Sequence, residues 1–70
     1  MMPRVASSAI ARVEYNAFAR ELLVVFTTGR TYTYFGVTPE VYDQFGRAAS
    51  KGAFFNLMIR DRYEFEEHRR

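Results

Sequence analysis

The sequence predicts an α+β fold, a three-stranded antiparallel meander followed by two helices packed on one face of the sheet. Two observations carry this. Between residues 8 and 35 the apolar residues alternate, or cluster in short runs divided by turn residues, which is strand patterning. From Thr38 onward they recur at spacings of three and four, which is helix patterning. Strands grouped ahead of helices belong to α+β architecture, since a parallel sheet needs the two to alternate. The chain of 70 residues is one domain by length. Its expected limits are 7–65, with a loose arm over 1–6 and a charged tail over 66–70.

Each element has its own reason. Over residues 8–15, Ala9, Ala11, Val13 and Tyr15 share one face, and Ile10, Arg12 and Glu14 share the other. Residues 16–19 read as a turn, with Asn16 suited to positive φ. Residues 22–26 are branched and aromatic, as in a central strand buried on both faces. Thr28-Gly29-Arg30 makes a short turn into a third strand over 31–35. Short connections of this kind join antiparallel neighbours.

The first helix starts with a mechanism: Thr38 caps, Pro39 suits the first helical position, and Glu40 favours the positive end of the dipole. Val41, Phe45, Ala48 and Ala49 then form an apolar stripe, with Tyr42 beside it. Gly46 weakens this helix by about 0.8–1 kcal/mol relative to alanine, and either allows close packing or ends the helix early. Ser50 reads as the cap of a second helix. Phe54, Phe55, Leu57, Met58 and Ile59 are too many apolar positions for a narrow stripe, so that helix is largely buried or faces a partner. From Arg60 the chain turns charged, with helix-spaced ion pairs such as Glu66 and Arg70, and a solvated, frayed end is expected.

Composition excludes several functions. There is no cysteine, hence no disulfide and no thiolate metal site, and the lone histidine, His68, lies near the end of the chain. Ser-His and Cys-His pairs are accordingly not expected, and the chain reads as neither an enzyme nor a metal or cofactor protein. No apolar run approaches the roughly 18 residues of a membrane span, and no secretory leader is visible, so a cytoplasmic location is the expectation. The net charge of +2 is too small to mark a polyanion partner by itself. Aromatic content is high, 17%, with seven Phe and five Tyr. That many rings either fill a dense core or leave some for a self-association surface.

Three segments are candidate contacts. Tyr32 and Tyr34 project from the same face of a strand; there they either stack unpaired bases or pack beneath the helices. Ser50-Lys51-Gly52 at a helix start either holds an anion at its free N–H groups or is an ordinary capped helix with a solvated lysine. Arg47 and Arg60 lie near enough in sequence to extend a basic patch, although acids interleave with them. Asn56, a polar amide in the apolar run, needs a partner if buried; it ties the helix to a loop or reads a ligand.

Taken in order, Ser7-Ser8 with Ile10 and Tyr15, Tyr32-Thr33-Tyr34, Val37-Thr38-Pro39, Val41-Tyr42, Ala49-Ser50-Lys51-Gly52, Phe54-Phe55-Asn56 and Ile59-Arg60 form a set that resembles the KTSC family. That family is named for the C-terminus of certain lysyl-tRNA synthetases and also occurs as small stand-alone bacterial and phage proteins. The resemblance spans residues 7–63. Asn16 stands where the family commonly has Asp, and Phe54 where it commonly has Tyr, which removes one hydroxyl from possible ligand contact. The resemblance implies a small accessory domain of undetermined function, with RNA binding suggested. Its contacts would be Tyr32, Tyr34, Arg47, Lys51, Asn56 and Arg60. The alternatives are a protein-interaction or self-associating module, and a binder of a phosphorylated small molecule at Ser50, Lys51 and Gly52.

Overall fold

The computed structural model describes residues 6–68; positions 1–5 of the expected arm and 69–70 of the expected tail lie outside them. A 3-10 turn, Ser7–Ala9, leads into β1 (Ile10–Asn16), β2 (Glu21–Phe26) and β3 (Thr31–Phe35). Then come α1 (Pro39–Arg47) and α2 (Lys51–Phe54), the latter continued by a π-helical turn, Phe55–Ile59. A fourth strand, β4 (Phe65–His68), closes the chain. The sheet order is β1-β2-β3-β4, with every neighbouring pair antiparallel.

The sheet therefore has four strands rather than the expected three. The segment read as a solvated charged end pairs with β3, in the register Tyr34↔Phe65 to Thr31↔His68. Opposite residues of antiparallel strands share a face, so Phe65 and Glu67 stand with Tyr34 and Tyr32, while Glu66 and His68 stand with Thr33 and Thr31. Thr33 Oγ1 and His68 Nε2 share a hydrogen bond of 2.5 Å. The pairing occupies backbone groups of β3 that would otherwise be an open edge, and charge on an outer strand discourages further pairing.

Two faces differ from expectation. A register shift between Ile10 and Arg12 brings Ile10 to the core side together with Val13 and Tyr15; simple alternation had placed it opposite them. A bulge of this kind inserts one residue and reverses the side-chain sense beyond it. In β2, Leu22 and Val24 are wholly buried, but Leu23 and Val25 are only half-buried. One face of this strand is open because the helices lie on the other side.

α1 begins as its sequence implies, with Thr38 Oγ1 accepting from the Val41 amide at 3.3 Å. Gly46 lies inside the helix, and a Cβ there would meet nothing within 4 Å, so it serves no close approach. In the β1–β2 turn the positive φ falls on Arg20 (56°), not on Asn16. Asn16 instead accepts from the Ala19 amide through Oδ1, at 3.1 Å. The core joins Leu22, Val24, Tyr32, Tyr34 and Val37 to Phe45, Phe55 and Ile59 of the helical layer. Phe55 meets Phe26 and Tyr34 edge-on, and Tyr15 stacks on Tyr42 at 4.4 Å.

Candidate functional site

Tyr32 and Tyr34 are core residues, 7% and 2% exposed. Alternation in β3 turns them toward the helices, and each ring is engaged: Tyr32 by Phe26 and Phe65, Tyr34 by Phe55 and Phe65. A base stacks on an accessible ring face, and these faces are covered. The hydroxyls are a separate matter. Among the described residues neither has a hydrogen-bond partner, yet neither is sealed from solvent. Both tyrosines line a hollow of about 320 Å³ at the β3–β4 edge, whose other walls are Arg30, Arg60, Asp61, Phe65 and Glu67.

Arg60 follows the π-helical turn, its amide bonded to the Phe55 carbonyl five residues back. Its side chain is 16% exposed. The guanidinium donates from Nη1 to Asn56 Oδ1 at 3.4 Å and lies 3.3 Å from Asp61 Oδ2. Asn56 is thus tied within its own helix, next to the arginine. Burial above all pushes the Tyr34 phenol well above its ordinary value near 10; Tyr32 and Asp61 add to the rise, and the positive charge of Arg60 opposes it. At the rim, Arg30 Nε lies 3.8 Å from Glu67 Oε2.

The expected anion site at Ser50, Lys51 and Gly52 is occupied by the chain itself. Ser50 Oγ accepts from the Ala53 amide at 3.1 Å, and the Gly52 amide donates to Ser7 Oγ at 2.9 Å. The two serine hydroxyls lie 3.2 Å apart. Lys51 points away from the helix start: Nζ donates to the carbonyls of Gly46 and Ala48, at 2.9 and 3.0 Å. It caps the C-terminal end of α1, where a cation complements the dipole. Arg47 is exposed and pairs with Asp43 at 3.1 Å.

Of the six expected contact residues, the structure brings Tyr32, Tyr34 and Arg60 to one hollow, with Asn56 behind Arg60. Arg47 and Lys51 line no part of it. Arg30, Asp61, Phe65 and Glu67 were missed, because three of them depend on how the chain enters β4. Also missed was Phe18, fully exposed at the tip of the β1–β2 turn; its signal was a large apolar residue inside a turn. Phe35 lies at the same end of the sheet, opposite Glu21, and is also exposed. Among the described residues no helix is long and apolar enough to cross a membrane, and no cluster of His, Cys, Asp or Glu could hold a metal ion.

A four-stranded antiparallel sheet with helices on one face defines a small α+β domain. The KTSC domain model matches residues 6–63, and the chain belongs to the KTSC domain family. The crystal structure of a KTSC domain protein from Yersinia pestis superposes with a TM-score of 0.83, at 32% identity, covering 96% of this chain and 94% of that one. A small protein of Tsukamurella paurometabola is 40% identical over 62 residues, 89% of this chain and 92% of that protein. A lysine–tRNA ligase of Nostoc punctiforme is 35% identical over 60 residues, 86% of this chain but 11% of the ligase.

Proposed function

We propose that this domain is a non-catalytic interaction module that pairs with a second copy of itself through the hairpin end of the sheet. The observation that carries this reading is Phe18, fully exposed on a turn whose shape is fixed. Asn16 closes the turn from within, and the Arg20 carbonyl accepts from the amides of Gly36 and Val37, both at 3.0 Å. An apolar side chain on a rigid support loses little entropy on docking. Phe35, also exposed at this end of the sheet, supplies a second anchor, so a two-fold arrangement can set Phe18 of each copy against Phe35 of the other. Burying one phenylalanine contributes about 1.5–3 kcal/mol. Sedimentation equilibrium tests the reading. Wild-type chain should associate, and Phe18→Ser should weaken association roughly tenfold or more. A wild-type chain that stays monomeric at millimolar concentration would overturn it.

A second reading, RNA binding, is supported by the related segment in a lysine–tRNA ligase, an enzyme whose name implies a tRNA substrate. The geometry supports it less. The two tyrosine rings are covered, and Arg12, Arg30, Arg47 and Arg60 each lie within 4 Å of a carboxylate. An NMR titration with mixed-sequence single-stranded RNA at low and high salt decides between the two. Shifts clustered on residues 50–56 and lost with salt would favour RNA; an unperturbed spectrum is the expected result.

A further inference from the structure

Arg20 is set apart by two observations. Among the described residues it is the one non-glycine residue with positive φ, 56°, and it lies in the turn that carries Phe18. Glycine takes that conformation without the clash that a Cβ brings. What the turn draws on is the Arg20 carbonyl, which accepts from the Gly36 and Val37 amides. An exposed arginine side chain thus stands where the backbone favours glycine, and strain of this kind gathers at functional positions. Secondly, neither Arg20 nor the adjacent Glu21 takes part in an ion pair among the described residues, whereas Arg12, Arg30, Arg47 and Arg60 all do.

The sheet face turned away from the helices holds the counterpart. Glu14, Leu23, Thr33 and Glu66 form one row across it, and Asn16, Glu21 and Phe35 form the next. The solvated face of an antiparallel sheet is ordinarily polar. This one carries Leu23 and Val25, both half-buried, and the exposed Phe35. A hollow of about 210 Å³ lies on it, with Asn16, Glu21, Leu23 and Thr33 among its walls. Glu21 is the residue opposite Phe35. We propose that a second copy docks onto this face, its Arg20 guanidinium entering the hollow against Glu21 and its Phe18 lying on Phe35. The inference rests on the self-pairing proposed above and adds the surface that receives it. A two-fold axis repeats the contact, so each copy gives one arginine and receives one. Glu21 gains the cation that it lacks, in a pairing whose planar geometry suits a guanidinium, and Leu23 takes the aliphatic stem. Glu14 is already held by Arg12 at 3.0 Å and is not called upon.

The test is sedimentation equilibrium of the full chain at low and high sodium chloride. Wild-type association should weaken with salt, because the charges are screened. Arg20→Gly removes the side chain and relieves the backbone. Its urea midpoint at dilute concentration should match or exceed that of wild-type chain, yet its association should fall roughly tenfold. Arg20→Glu and Glu21→Arg each set like charges together across the two-fold axis and should associate weakly alone. Their equimolar mixture restores opposite charges at both contacts and should associate at about the wild-type level. Glu40→Arg mixed with Arg47→Glu, two reversals on α1, controls for bulk attraction and should gain nothing on mixing. Association weakened by Phe18→Ser but untouched by Arg20→Gly would overturn this inference and leave the hairpin-end reading standing. So would a mixture of the Arg20 and Glu21 reversals that associates no better than its members. A wild-type chain that stays monomeric would overturn both.

Discussion

Lys51 shows how far a residue's role depends on what folds back to meet it. Beside Ser50 and Gly52 it reads as a helix-start lysine, but its ammonium group serves the helix before it. Lys51→Met should lower stability by about 1 kcal/mol through loss of these bonds, seen as a lower urea midpoint at unchanged slope. Tyr15 makes a similar tie, its hydroxyl donating to the buried Val37 carbonyl at 2.6 Å. Tyr15→Phe should cost about 0.5–1.5 kcal/mol, measured in the same way. Tyr34 adds a pH dependence. Its phenol is raised on folding, so its contribution is complete below about pH 10 and declines as pH rises beyond that value. Alkaline urea titrations should show this loss, and Tyr34→Phe should reduce it. The sequence revealed that Tyr32 and Tyr34 face alike, because a period of two fixes that much. It could not reveal the direction, which depends on which face the helices cover.

Elements were legible where their local chemistry is complete within a few residues. β2 and β3 carry dense β-branched and aromatic runs, and the start of α1 carries cap, proline and acid together. β4 carries no such signal. Phe-Glu-Glu-His resembles a solvated terminus, and its strand character comes from the open edge of β3. A chain ended after Glu64 should therefore lose cooperative unfolding and its near-ultraviolet circular dichroism, since Phe65 no longer covers Tyr32 and Tyr34. The π-helical turn was equally invisible, because hydrogen bonds five residues apart leave no compositional trace. The tie between the start of the chain and α2 is a further element-level bond. Ser7→Ala and Ser50→Ala should each cost about 1 kcal/mol, and a double-mutant cycle should show coupling of at least about 0.5 kcal/mol, through their shared contact.

For the whole molecule, aromatic excess is divided between interior and surface. Phe45 and Phe55 are buried, whereas Phe18, Phe35 and Phe65 are exposed. Self-association through the first two of these, as proposed above, would make thermal stability depend on concentration. The midpoint of wild-type chain should rise with concentration, and that of Phe18→Ser should stay level at the dilute wild-type value. Composition showed that the excess existed. The division between core and surface needed the layer order, since only a covered face absorbs rings.

The strand order has one more consequence. β1 begins and β4 ends at the same end of the sheet, on opposite edges, because each strand reverses the one before it. Phe18 and Phe35 lie at the far end. A tether attached ahead of β1 and one attached after β4 thus start at the same end of the sheet, the end opposite the hairpin tip. Grafted at either edge, or spliced between two host segments, the domain presents the same unobstructed surface outward.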